Sequence, residues 1–146
     1  MTSEPGYTAP DVSLFGEEHV RRYIETGGAV GHEWNGVTTL VLTTTGRKTG
    51  LPRRSAMIYG QAQEDYVVIA SYGGAPTHPS WYLNLRENPL VEVQVGPERF
   101  SARARTATGE ERRRLWAMMA EHWPNFDVYV TRTDREIPLV VLERTD

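Results

Sequence analysis

Residues 90–106 constrain the fold more than any other stretch. Leu90–Val95 sets Leu90, Glu92 and Gln94 against three valines, and Arg99–Thr106 sets Phe100, Ala102 and Ala104 against Arg99, Ser101, Arg103 and Arg105. A period of two residues suits a half-buried strand, not a helix. Only Gly96-Pro97-Glu98 separates the two runs, and so short a turn favours antiparallel pairing. Four more segments extend the pattern. Val37–Thr44, rich in Val, Leu and Thr, predicts a strand. TGRKTG turns the chain, and Pro52–Tyr59 returns as its partner. Gln61–Asp65 reads as a polar turn. Tyr66–Ser71 is almost continuously apolar and reads as a strand buried on both faces, and Ile137–Leu142 as a last apolar strand. About six strands joined mostly by short turns would leave exposed edges in an open sheet. Closure removes them. The expectation is an α+β protein, a small antiparallel β-barrel with flanking helices.

Three helices complete the prediction. Residues 16–26 carry acids in their first turn and stop at Gly27-Gly28. Pro79 suits the first helical position of a segment that Asn88-Pro89 ends. Thr108 with Glu111 has the pattern of a capping box and opens a helix to about His122, with Leu115, Met118, Met119 and His122 along one side. Pro124 stops it, so residues 124–130 read as loop. Residues 1–13 read as a flexible polar tail and 14–146 as a single domain, which suits a chain of 146 residues. A net charge of −3 argues against nucleic acid as the main partner. No apolar run approaches the roughly 18–20 residues of a membrane span, and the N-terminus has neither the basic start nor the apolar core of a secretory signal. A cytoplasmic protein is expected, with peripheral membrane contact open, as a monomer or weak homodimer. The chain has no cysteine, which removes thiol chemistry.

The charge distribution is the strongest functional signal. Arg47, Lys48, Arg53 and Arg54 surround one turn, and no Asp or Glu occurs from residue 34 to residue 63. Guanidinium forks and ammonium donors in such a window suit phosphate or carboxylate groups. Against this stands a solvated hairpin tip carrying cations for solubility. Gly73-Gly74, after a buried strand, would let a ligand approach the backbone closely. Trp81 and Tyr82 are adjacent on a short helix, so only one of them can be core. Trp123, Phe126 and Tyr129 recur every three residues, a spacing equally suited to packing or to covering a flat ligand. His19, His32, His78 and His122 have no metal-ligand spacing, so no metal site is expected. GxSxG and GxGxxG are missing, and GRKTG lacks the upstream glycine of a P-loop.

Several blocks together, LTTTGRKTGLPR, IASYGGAPTHPSWYLNLRENP, VEVQVG and TDREIPLVVLER, resemble the deazaflavin-dependent nitroreductase family over about residues 36–144. The resemblance implies a split β-barrel of the flavin-reductase type. It also implies coenzyme F-420, an 8-hydroxy-5-deazaflavin with a phosphate and an oligoglutamate tail. Cofactor contacts carried over by motif are Arg47, Lys48 and Thr49; Arg53, Arg54, Ser55, Ala56, Met57 and Ile58; Ile69, Ala70, Ser71 and Tyr72; and Ser80, Trp81, Tyr82, Leu83 and Asn84. Trp123, Phe126 and Tyr129 match substrate-side positions. Ser71 and Tyr129 are the candidate hydroxyls for orienting an acceptor or relaying a proton. Two departures stand out. Tyr72 replaces a Lys common in relatives, and Trp123 and Phe126 stand where the best-known nitroreductase has Tyr, which weakens the case for nitroimidazoles. The implied activity is hydride transfer from reduced coenzyme F-420 to a planar electron-poor acceptor: a quinone, a nitroaromatic or an activated enone. A non-catalytic deazaflavin carrier and an FMN-binding reductase are the alternatives, and without the resemblance the residues do not separate FMN from deazaflavin.

Overall fold

The computed structural model describes residues 4–145. In chain order the elements are α1 (Gly16–Thr26), β1 (Glu33–Trp34), β2 (Val37–Thr45), β3 (Pro52–Ile58), β4 (Gly60–Ala62), β5 (Asp65–Ile69), a 3-10 turn (Tyr72–Gly74), α2 (Ser80–Glu87), β6 (Leu90–Val95), β7 (Glu98–Thr106), α3 (Gly109–His122), α4 (Asn125–Val130) and β8 (Leu139–Arg144). Every strand pair is antiparallel. The hydrogen-bonded path runs β1-β2-β6-β7-β8-β5-β4, with β3 on the other side of β2. β3 and β4 are one strand bent at Tyr59, whose first half pairs with β2 and second half with β5. The bent strand thereby joins both ends of the path into a split barrel.

Counted this way the barrel has the six strands the pattern predicts, with the two-residue β1 added at the rim. The predicted polar turn at 61–65 is shorter than expected because β4 takes its first two residues. Gly60 explains where the bend falls. A Cβ there would lie 2.6 Å from Met119 Sδ and 2.9 Å from Met118 Cε, so a side chain would make both methionines shift.

β5 is buried on both faces, as its composition requires. Tyr66, Val68 and Ala70 join Leu40, Leu42, Val93, Phe100 and Leu142 in one core cluster. Val67 and Ile69 join Leu115, Met119, Trp123 and Phe126 in a second, between the barrel and α3–α4. Two local predictions fail. Thr108 is the N-cap of α3, but its side chain makes no capping hydrogen bond. Glu111 turns instead to Arg105, accepting from Nη1 at 2.6 Å and Nη2 at 2.8 Å. A bidentate ion pair is a stronger partner than a single backbone N–H. The predicted loop 124–130 contains α4, because Pro124 precedes a short helix whose Asn125, Phe126 and Val128 are buried. Among the described residues no helix is long and apolar enough to cross a membrane.

Candidate active site

A cleft of about 1260 Å³ opens between α1, β3, the loop after β5 and α4. One wall is β3, from Arg54 to Ile58. β3 pairs with β2 on one side and with no strand on the other, so its free N–H and C=O groups are available to a flat ligand. Ile69, Ser71, Tyr72 and Gly73 line the floor, with Trp81 nearby. Trp123, Phe126 and Tyr129 form the opposite wall. Trp123 and Phe126 are buried and belong to the second core cluster, while Tyr129 is half-exposed. They are therefore both packing and wall. Trp123 Nε1 donates to Tyr129 Oη at 3.4 Å. An indole N–H can only donate, so the phenol oxygen accepts and its own proton is left for another partner.

The basic turn joins β2 to β3 and so leads into the wall that begins at Arg54. Asn84 Oδ1 accepts from the Arg47 backbone N–H at 3.2 Å and from Arg47 Nη1 at 2.8 Å. Asn84 Nδ2 donates to Thr44 Oγ1 at 3.2 Å. One buried amide thus ties the turn to β2 and α2. Arg47, Lys48, Arg53 and Arg54 are all exposed. Among the described residues none of the four enters a salt bridge, whereas Arg21, Arg105, Arg112, Arg113 and Arg132 all do. The aromatic cleft is therefore adjoined by a turn of uncompensated positive charge, of whose four cations Arg54 lines the cleft itself.

The loop after β5 is held by Arg135. Its Nη2 donates to Ser71 O at 2.8 Å, Nε to Ala75 O at 2.8 Å and Nη1 to Ala70 O at 3.3 Å. Nη1 also meets His78 Nδ1 at 3.1 Å. Burial and the Arg135 and Arg86 charges push the His78 pKa down, toward the neutral ring that such a contact requires. Tyr72, at φ 48°, and the two following glycines are left-handed in succession. For a non-glycine this conformation costs about 1–2 kcal/mol, and Tyr72, which lines the cleft, is 62% exposed.

Of the sequence-derived contacts, Arg54 to Ile58, Ile69, Ser71, Tyr72, Trp81, Trp123, Phe126 and Tyr129 line the cleft. Arg47, Lys48, Thr49, Arg53, Ser80, Leu83 and Asn84 do not; they belong to the turn, to the start of β3 and to α2. Ala70 faces the barrel core, as does Tyr82, whose hydroxyl bonds Thr106 Oγ1 at 2.9 Å. The choice between the adjacent aromatics thus falls with Tyr82 inside and Trp81 at the cleft. Sequence reasoning missed Tyr7, Phe15, His19, Trp34 and Arg132, all of which line the cleft. Trp34 could have been suspected as an isolated aromatic beside Asn35-Gly36; the others carry no local signal.

An antiparallel split barrel with an aromatic cleft and an adjoining cationic turn defines a reductase barrel that binds a flavin-like cofactor. The family model described as F420H(2)-dependent quinone reductase matches residues 15–144, and the chain belongs to that family. An F420H(2)-dependent quinone reductase of Mycobacterium tuberculosis is 39% identical over 147 residues, covering 92% of this chain and 99% of that protein. A solved F420-H2 dependent reductase superposes with a TM-score of 0.67 at 40% identity, covering 72% of this chain and 93% of its own. A second solved chain, described as a domain-swapped dimer, gives a TM-score of 0.70 at 37% identity over 86% of this chain and 95% of its own.

Proposed function

We propose that this cleft carries out the family's reaction, hydride transfer from reduced coenzyme F-420 to a quinone. The observation that carries the reading is a cleft with a free strand edge and an aromatic wall, whose β3 begins at a turn carrying cations that enter no salt bridge among the described residues. A ligand with a flat ring and a multiply anionic tail matches cleft and turn at once. Arg47, Lys48, Arg53 and Arg54 would hold the tail through charge-assisted hydrogen bonds. The β3 edge and the backbone of Ser71–Gly73 would hold the ring.

The cofactor, when bound, supplies the hydride from its C5. What the chain contributes is binding, orientation and exclusion of water. Trp123 and Phe126 offer apolar faces against which a planar acceptor stacks. Tyr129 holds its phenol proton free to donate toward the acceptor oxygen on which negative charge develops. No other acid or base is required, since a quinone that accepts a hydride becomes a hydroquinone monoanion and needs one proton only, which Tyr129 passes on and regains from solvent. Ser71 is buried to 8% exposure and would orient the ring side through its backbone more than through its hydroxyl.

The test is a fluorescence titration of the purified protein with coenzyme F-420 and with FMN, followed by turnover of the reduced deazaflavin with quinones. Binding should favour coenzyme F-420 strongly, because FMN carries one phosphate against four cations. FMN binding as tightly, or no oxidation of the reduced cofactor by any quinone, would overturn the reading.

A further inference from the structure

We propose that residues 4–15 form a fourth wall over the acceptor end of the cleft, and that Tyr7, clamped against Tyr129 by Arg132, sets which acceptors fit. The inference rests on the proposed function for the identity of the acceptor, a quinone.

The segment contains no helix or strand, yet side chains from the rest of the domain pin it at three places. The first is Arg132, at the end of α4. Its guanidinium lies 4.6 Å from the Tyr7 ring centroid and 5.2 Å from that of Tyr129. It donates to Gly73 O at 2.9 Å and grips the Glu4 carboxylate with Nε, at 2.9 Å, and Nη2. The second is Asn125, which accepts from Thr8 N–H at 2.9 Å and donates to Thr8 O at 2.7 Å. The third joins Asn35 to Asp11 through two bonds of 2.8 Å, with Trp34 Nε1 donating to Leu14 O at 2.7 Å. Side-chain amides here satisfy backbone groups that a strand or helix would otherwise satisfy.

Between the anchors Tyr7, Pro10 and Val12 line the cleft, and Phe15 does so just beyond the last. Tyr7 and Tyr129 stand 6.5 Å apart, tilted by 56°. Their positions are not independent. A single guanidinium touches both rings and also the Gly73 carbonyl, on the loop proposed to face the cofactor ring. Tyr129 carries the proton donor, so Tyr7 bounds the space in which an acceptor oxygen can reach it. Arg132 is a positioning residue, acting through Tyr7 and Tyr129.

The test measures equilibrium binding of two quinones, menadione and the larger three-ring anthraquinone, by quenching of tryptophan fluorescence, for which Trp34, Trp81 and Trp123 are in place. Wild type should favour menadione. Tyr7→Ala should weaken menadione about tenfold while anthraquinone stays within about twofold, the expected loss of one aromatic face. Tyr7→Phe should keep the wild-type ratio. Arg132→Ala should reproduce the ratio of Tyr7→Ala, a change that a purely stabilising side chain would not cause. A ratio unmoved by Tyr7→Ala, or a wild type that binds neither quinone, would overturn the proposal. Turnover with reduced coenzyme F-420 is read separately. If the binding ratio shifts but no quinone is reduced, the wall stands and the proposed reaction falls.

Discussion

Tyr129 combines two roles that a single residue can separate. Its ring is packed, at 6.1 Å from Phe126 and under the Arg132 guanidinium, while its oxygen accepts from Trp123. Tyr129→Phe keeps the ring and removes the hydroxyl, which is both the proton donor and the acceptor for Trp123 Nε1. Turnover with quinones should fall by at least about tenfold, within the range for a lost proton or hydrogen-bond donor, while cofactor affinity stays within about twofold. Steady-state kinetics beside a thermal melt checks it. An unchanged melting temperature with lost turnover assigns the hydroxyl to chemistry, whereas unchanged turnover removes it from the mechanism. Tyr129, Trp123 and Phe126 were legible because they share one short segment with an aromatic period. Arg135 and Arg132 were not, although both organise the site. Their partners lie at Ser71 and Glu4, 64 and 128 residues away in the chain. Nothing about an arginine's neighbours in sequence says which distant carbonyl it will meet.

At the scale of elements, a buried phenol helps fix α1 to the barrel. Tyr23 is fully buried; its hydroxyl accepts from Gly96 N–H at 2.7 Å and donates to Thr39 O at 2.9 Å. The end of α1 rests on the same β6–β7 turn, where a Cβ on Gly28 would lie 2.5 Å from Gly96 Cα. Burial pushes the Tyr23 pKa up to about 12 from its ordinary 10.0. Because the folded value is raised, the associated stability is fully present below the unfolded value of 10.0 and is lost as pH rises through about 12. Tyr23→Phe leaves the Gly96 N–H without its acceptor, a cost of about 1–3 kcal/mol at neutral pH. The variant should also lose stability less steeply than wild type between about pH 10 and about pH 12. Urea unfolding of both proteins across that range checks the prediction, and parallel curves would refute it. Tyr66, also raised by burial, leaves a remainder common to both. The strands themselves were readable because a period of two survives any tertiary context. The capping box was not, since Thr108 and Glu111 match the pattern but Arg105, on the neighbouring strand, competes for the carboxylate. Nor was α4: six residues behind a proline carry too little periodicity to be told from a loop, and tertiary burial of Phe126 and Val128 decides it.

The whole molecule is electrically divided. Residues 34–86 hold five basic and two acidic side chains, +3, and the rest hold 11 basic and 17 acidic, −6. This asymmetry was visible in the sequence, but its meaning depended on the fold. A solvated hairpin tip and an anion site have the same composition. What favours an anion site is that Asn84 fastens the turn to α2; the four exposed cations, which enter no salt bridge among the described residues, suit both. Exposed charges interact through water and are screened over about 10 Å at 0.1 M salt. Affinity for coenzyme F-420 should therefore fall steadily as salt is added, while affinity for a tail-less deazaflavin should barely change. The double variant Arg47→Ala with Lys48→Ala removes half of the turn's charge. It should bind coenzyme F-420 about tenfold or more weakly at low salt, the loss of one or two charge-assisted bonds. Its affinity should also depend less on salt than that of wild type. Charge away from the site supplies the control: Arg113, at 72% side-chain exposure and paired with Glu110 on α3, can be changed to Ala without moving either quantity. If the double variant keeps the wild-type salt slope, the anionic tail is not held by this turn, and the positive field serves only to keep an acidic protein soluble at its hairpin tip.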